Sequence, residues 1–176
     1  LSPLFIILTI WIKCDSTGSV FYRQIRVGRN NRDFQLLKFR SMRVGSDKKG
    51  LITVGGRDPR ITRSGYYIRK YMDIPQLINV LKGDMSLVGP RPEVRKYVDL
   101  YTAEQRRVLA VRPGITDYAS IVYMDENRYL DNPQIDKTYV EDIMPAKIKL
   151  NMRYINHPTL FEYFKLIFLT IFKIAR

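Results

Sequence analysis

The apolar positions of the chain fall into blocks with different periods. Leu4-Phe5-Ile6-Ile7-Leu8-Thr9-Ile10-Trp11-Ile12 is nearly unbroken and stops at Lys13, too few residues to span the roughly 30 Å hydrocarbon layer of a bilayer as a helix. Two structures suit it: a buried core helix, or the second half of a longer membrane-embedded segment whose first half is missing. In the second case Ser2-Pro3 falls at the junction, where proline removes a backbone donor and kinks a helix, and Trp11 with Lys13 suits an exit through the headgroup zone. A signal peptide is not expected, because the run has no charged n-region and no small-residue cleavage site after it. At the other end, a helix over Leu160–Arg176 brings Glu162, Lys165, Lys173 and Arg176 within about 80° of one another and leaves the rest to Phe161, Phe164, Phe168, Ile171 and Phe172. That amphipathic pattern fits either a protein core or a helix lying in a membrane interface.

Between these ends, Val20-Phe21-Tyr22 and Phe34–Phe39 are β-prone runs flanking the turn-forming Gly28-Arg29-Asn30-Asn31, which predicts a β-hairpin. The glycine-rich, charged stretch from Val44 to Thr62 reads as a loop. A helix is expected over Arg63–Tyr71. A second is better marked, with Asp73 as N-cap, Pro75 in the first turn, Leu77, Ile78 and Leu81 as an apolar stripe, and Gly83 as the stop. Gly89-Pro90-Arg91-Pro92 breaks the chain, Glu93–Val111 reads as helix, Arg112-Pro113-Gly114 as a turn, and Asp136–Tyr154 as a helix interrupted at Pro145. The fold class is therefore α+β and helix-dominated, in a single domain over residues 1–176.

Composition sharpens the functional question. The net charge is +13, and it is concentrated: residues 1–70 hold 15 basic and 4 acidic side chains, residues 71–176 hold 15 and 13. Such an excess calls for an anionic partner, with phosphate foremost. One cysteine, Cys14, and one histidine, His157, exclude an internal disulfide and a Cys/His zinc cluster, so chemistry must rest on carboxylates, lysines and arginines. A nucleic-acid partner is not expected: it would explain the charge but neither Ser2-Pro3 nor the apolar ends, and seven acids between Asp117 and Asp142 would repel its backbone. Lys38-Phe39-Arg40, Pro90-Arg91-Pro92 and Arg112-Pro113-Gly114 set cations on stiff backbone, where a guanidinium loses little entropy on clamping a phosphate.

Taken together, Ser2-Pro3, Lys38-Phe39-Arg40-Ser41-Met42, the run from Pro75 to Pro92 and Arg112-Pro113-Gly114-Ile115-Thr116 resemble the bacterial sugar transferase family, the small monotopic phosphoglycosyl transferases. The resemblance covers nearly the whole chain. It implies transfer of a sugar phosphate from a UDP-sugar to polyprenyl (undecaprenyl) phosphate at the cytoplasmic face of the bacterial inner membrane, with release of UMP, at the start of surface-glycan assembly. It also implies a re-entrant membrane helix over 1–13 broken at Ser2-Pro3 and anchored at Trp11, a cytosolic catalytic part over 14–159, and an interfacial helix over 160–176. The chemistry implied is attack by an aspartate on the sugar-linked phosphate, aided by Mg2+ and a neighbouring glutamate. Lys38, Arg69, Arg91 and Arg112 match basic positions of the family's motifs: Lys38 is expected at the reacting group, the three arginines at phosphate or substrate.

The chain departs from the family at the acidic pair. Where Asp-Glu-Leu usually precedes Pro-Gln-Leu, this chain reads Met72-Asp73-Ile74 before Pro75. Counting back from Pro75 sets Asp73 at the glutamate and Met72 at the nucleophile; counting forward from Arg69-Lys70-Tyr71 implies about two missing residues. Asp73 is thus the one carboxylate for catalysis or metal binding, and which acid it stands for stays open; a family member that binds without turning over is the alternative. Sugar specificity is expected near Asp117-Tyr118-Ala119-Ser120.

Overall fold

The computed structural model describes residues 2–46, 58–69, 73–123 and 135–175. The middle of the predicted Val44–Thr62 loop, Met72, part of the acidic stretch and Arg176 lie outside the described residues. The architecture is α+β, with helices predominating.

The hairpin forms as expected. β1 (Phe21–Val27) pairs antiparallel with β2 (Asp33–Phe39) from Phe21↔Phe39 to Val27↔Asp33, and the link turns through Asn30 and Asn31 at φ 56° and 61°, left-handed values that asparagine tolerates. Alternation along the strands divides the side chains between faces. Lys38 and its partner Tyr22 share one face with Arg26, while Phe39 and Phe21 take the other. Phe39 is buried there with Leu8, Ile12, Val20 and Ile68.

Leu8 and Ile12 belong to α1 (Ser2–Asp15), which is helical from Ser2 onward. Its other face is bare: Ile6, Ile7 and Ile10 are 58–61% exposed, and Trp11 stacks on Tyr67 at 5.9 Å. Arg40 holds the end of α1. Its Nη2 donates to the carbonyl and hydroxyl oxygens of Ser16 at 2.6 and 2.9 Å, and its Nη1 to the Thr17 carbonyl at 2.9 Å. Arg40 is thus a helix anchor rather than a phosphate ligand. Asp15 extends the join by accepting from the backbone N and Oγ of Ser64, both at 2.7 Å, at the start of α2 (Arg63–Ile68). Among the described residues no helix is long and apolar enough to cross a membrane.

In α3 (Gln76–Lys82) the expectation is corrected. Pro75, not Asp73, occupies the N-cap position, and Asp73 lies in the preceding turn; Gly83, at φ 83°, closes the helix as read from the sequence. The predicted apolar stripe is not the buried face: Leu81 is 87% exposed, whereas Gln76 and Asn79 are 2% and 1% exposed. The reason lies in β2. Its outer edge needs both a donor and an acceptor, and the Asn79 amide supplies them, accepting from Leu37 N at 3.0 Å and donating to the Gln35 carbonyl at 2.8 Å.

A parallel pair, β3 (Ser86–Val88) with β4 (Gly114–Thr116), replaces the turn expected at Arg112–Gly114. The long helix expected over Glu93–Val111 is also broken. Only α4 (Arg95–Val98) is α-helical, and a separate 3-10 segment, Gln105–Ala110, starts afresh where Thr102 and Gln105 cap each other reciprocally at 2.9 and 3.2 Å. Past α5 (Tyr118–Val122), α6 (Ile135–Thr138) runs into α7 (Met144–Asn156) through a π-helical segment, Tyr139–Ile143, so Pro145 falls in a first turn instead of breaking the helix. Tyr139, Ile143, Met144 and Ile148 join Val27, Val98 and Val108 in the main core. Helix α8 (Leu160–Ala175) packs on β3, β4 and α5 through Leu166, which is fully buried.

Candidate active site

Three sequence features converge on one carboxylate. Strand β2 presents Lys38 from the face opposite Phe39, the turn before α3 presents Asp73, and the stiff Pro90-Arg91-Pro92 segment after β3 presents Arg91. Asp73 Oδ2 lies 3.4 Å from Arg91 Nη2, and Oδ1 lies 4.0 Å from Lys38 Nζ. Gln76 donates its side-chain amide to the same Oδ1. The cations stand apart in accessibility: the Arg91 side chain is 41% exposed, Lys38 only 9%. Arg91 is open to a ligand, whereas Lys38 is sealed behind Asp73.

The electrostatics follow from that geometry. Burial pushes the Asp73 carboxyl upward, but the charges of Arg91 and Lys38 outweigh it and hold the group below the ordinary carboxylate range. Asp73 in turn raises Arg91. Burial lowers Lys38 to about 7 despite the attraction of Asp73. Because the unfolded lysine would hold its proton to about 10.4, the unfolded state binds more protons between pH 7 and that value, and stability must rise with pH across the window. Chemical unfolding of the wild type should therefore show a gain of roughly 1–3 kcal/mol from pH 7 to 9.5, absent in Lys38→Met. A flat wild-type profile would contradict the buried, near-neutral lysine.

Arg91 is held from behind by a buried carboxylate that the sequence reading set only near the sugar. Asp117, 3% exposed, accepts from Arg91 N at 2.7 Å and from Asn151 Nδ2 at 2.9 Å, and caps α5 through Ser120 N. A second missed pair lies beside it. Arg26 donates to the Pro92 carbonyl at 2.9 Å and meets Glu93 at 3.7 Å, and Glu93 also accepts from the Tyr139 hydroxyl at 2.9 Å. The strand alternation that turns Lys38 inward turns Arg26 inward too, which is the signal that could have found it.

Asp73, Arg91, Arg69, Glu93 and Asp117 line one cavity of about 760 Å³, which extends to Lys147 and to Thr170 and Lys173 of α8. Arg69 is lowered by burial and supported by Asp58. Arg112 stands elsewhere: its exposed side chain reaches toward Gly83 at the end of α3 and does not line the cavity. Of the stretch set near the sugar, Asp117, Ala119 and Ser120 line the cavity and Tyr118 does not. Among the described residues no three acidic, histidine or cysteine side chains gather into a metal cage. The carboxylates of Asp73, Glu93 and Asp117 along the cavity, without a preformed cage, are compatible with a Mg2+ ion that keeps most of its ligands from water.

A profile of the bacterial sugar transferase family matches residues 1–176. The chain belongs to that family. It is 46% identical over 129 residues to the UDP-N-acetylgalactosamine-undecaprenyl-phosphate N-acetylgalactosaminephosphotransferase of Aeromonas hydrophila, a match over 69% of this chain and 30% of that protein. It is 40% identical over 141 residues to the uncharacterized sugar transferase EpsL of Bacillus subtilis, covering 79% of this chain and 68% of that one. The UDP-glucose:undecaprenyl-phosphate glucose-1-phosphate transferase of Escherichia coli is 31% identical over 182 residues, 98% of this chain and 36% of its own. The chain therefore spans about a third of the length of the Aeromonas and Escherichia proteins.

Proposed function

We propose that the protein transfers a sugar phosphate from a UDP-sugar to polyprenyl phosphate, releasing UMP, at the cytoplasmic face of the bacterial inner membrane. The observation that carries this reading is the Asp73 carboxylate, seated between Arg91 and Lys38 on the wall of a cavity in a chain of this family. An oxygen of Asp73 attacks the phosphorus of the sugar-linked phosphate. The bond from that phosphorus to the bridging oxygen breaks, and UMP leaves with the electron pair. The aspartyl phosphosugar then meets an oxygen of polyprenyl phosphate at the same phosphorus, and Asp73 departs as a carboxylate. Arg91 offsets the charge on the phosphoryl oxygens, and Lys38, buried behind Asp73, acts on them only through that carboxylate. Mg2+, when bound, would neutralise further diphosphate charge; Asp73 would hold it, and Glu93 and Asp117 line the same cavity.

The bare outer faces of α1 and α8 support a membrane seat. Ile6, Ile7, Ile10 and Trp11 on one helix and Phe161, Phe164, Phe168 and Phe172 on the other are 42–74% exposed, a row of large apolar side chains along each outer face that a membrane interface would cover.

The test is direct. Mixed with vesicles containing polyprenyl phosphate, the protein should float with them, release UMP from a UDP-sugar and load the lipid. Arg91→Ala should weaken UDP-sugar binding by about 1.5–3 kcal/mol, the range for hydrogen bonds to charged groups. Binding without UMP release would favour a non-catalytic family member; failure to float and to bind would end both readings.

A further inference from the structure

Helix α8 has two functional faces. Phe161, Phe164, Phe168 and Phe172 point outward, 55–74% exposed, while Leu166, Thr170 and Lys173 cluster on the opposite side at 100° per residue. Of the inner three, Leu166 packs and the other two line the cavity that Asp73 and Arg91 also line. One helix therefore forms both the apolar outer surface and an inner wall of the reaction cavity.

Lys173 is placed at the point where these surfaces meet. Leu169, one turn back and 40% exposed, carries the apolar outer surface round to the Lys173 side of the helix. The ammonium donates to the Ile121 carbonyl at the end of α5, which steers it inward and leaves two of its three N–H groups for another acceptor. Thr170, one turn before, is bonded to the Thr116 hydroxyl on β4 and to the Leu166 carbonyl at 2.8 Å, so its neighbourhood is fixed. The ion pairs at Asp73 involve Arg91 and Lys38 and do not use Lys173.

A cation on the wall of the cavity that Asp73 and Arg91 also line, one helix edge away from a bare apolar face, matches an amphiphile with a long hydrocarbon chain and a phosphate head. The chain would stay in the apolar layer against α8 while the head turns inward. We propose that Lys173 binds the phosphate monoester of the lipid acceptor at the α8 wall, leaving the Asp73–Arg91 end to the diphosphate of the donor. This assignment rests on the transferase reading and adds to it a separate entry for each substrate. A membrane phospholipid offers related chemistry, but a phosphodiester carries one negative charge where a phosphate monoester approaches two.

Binding measured on the full chain in uncharged detergent separates the possibilities, with three probes: a polyprenyl monophosphate, phosphatidylglycerol and a UDP-sugar. Lys173→Gln should weaken the monophosphate about tenfold or more, leave the UDP-sugar within about twofold, and change phosphatidylglycerol little. Lys173→Arg should restore the monophosphate, which shows that the loss in the glutamine variant is of charge and not of folding. Unchanged monophosphate binding in Lys173→Gln would overturn the proposal. So would an equal loss for phosphatidylglycerol, which marks a general lipid contact, or a parallel loss for the UDP-sugar, which marks a role on the donor side. If the wild type binds neither UDP-sugar nor polyprenyl monophosphate, it is the transferase reading itself that fails.

Discussion

Incubated with its UDP-sugar and Mg2+, the wild-type protein should release UMP and carry a phosphosugar on Asp73, and Asp73→Asn should do neither. Asparagine keeps the size of the side chain and its carbonyl can still accept from Gln76, but an amide does not form the acyl phosphate and brings no charge to Arg91 and Lys38. The variant is a clean test because Asp73 is not the N-cap of α3: that position belongs to Pro75, so the roughly 1 kcal/mol cost of losing a cap does not arise. Loss of the carboxylate should also lower Lys38 further, since the attraction that opposes its burial is gone. The two readouts are independent. An adduct that persists in Asp73→Asn would move the nucleophile elsewhere, and Glu93, which lines the same cavity, is then the first residue to examine. An Asp-Glu pair placed ahead of Ile74 should raise turnover if the second acid is what the chain lacks, because Arg91, Asp117 and the cavity stand independently of it.

Local signals made the convergence of Lys38, Asp73 and Arg91 partly legible in the sequence, and what depends on contacts between distant segments stayed hidden. The hairpin could be read because Asn30 and Asn31 sit between two β-prone runs, and its alternation predicts that Lys38 and Phe39 go opposite ways. Pro90 and Pro92 flag Arg91 as stiff. Asp117 gives no comparable signal: its role comes from accepting the Arg91 amide across 26 positions of sequence, and an aspartate before a short helix reads only as a cap. Arg112 is the converse case. Its Arg-Pro-Gly setting is as stiff as that of Arg91, yet the parallel pairing of β4 with β3 directs it toward Gly83 and away from the cavity. In α3, hydrophobicity misdirected the reading of which face is buried, because the edge of β2 demanded the Asn79 amide.

That same strand pairing makes Gly114→Ala a strongly damaging small substitution. A Cβ at Gly114 would stand 2.1 Å from Gly89 N, 2.5 Å from Gly89 O and 2.6 Å from Val88 C, all main-chain atoms of the neighbouring segment. No rotamer change relieves such a contact; the strands must part. Parting them breaks bonds from Ser86 N to the Pro113 carbonyl at 2.8 Å, from Gly89 N to the Thr116 carbonyl at 3.0 Å and from Gly114 N to the Pro90 carbonyl at 3.0 Å. Overpacking of about 1–3 kcal/mol and lost hydrogen bonds of about 1 kcal/mol each put the cost at roughly 3 kcal/mol or more. Gly45→Ala is the control, since nothing lies within 4 Å of its Cβ and only its φ of 80° is strained, worth about 1–2 kcal/mol. The damage should reach the site as well. Pro90 and Thr116 adjoin Arg91 and Asp117, so folded Gly114→Ala should bind UDP-sugar as weakly as Arg91→Ala, whereas folded Gly45→Ala should bind like the wild type. Thermal unfolding with nucleotide-sugar titration reads both effects, and a Gly114→Ala protein within 1 kcal/mol of the wild type would show that the strand contact does not hold Arg91 in place.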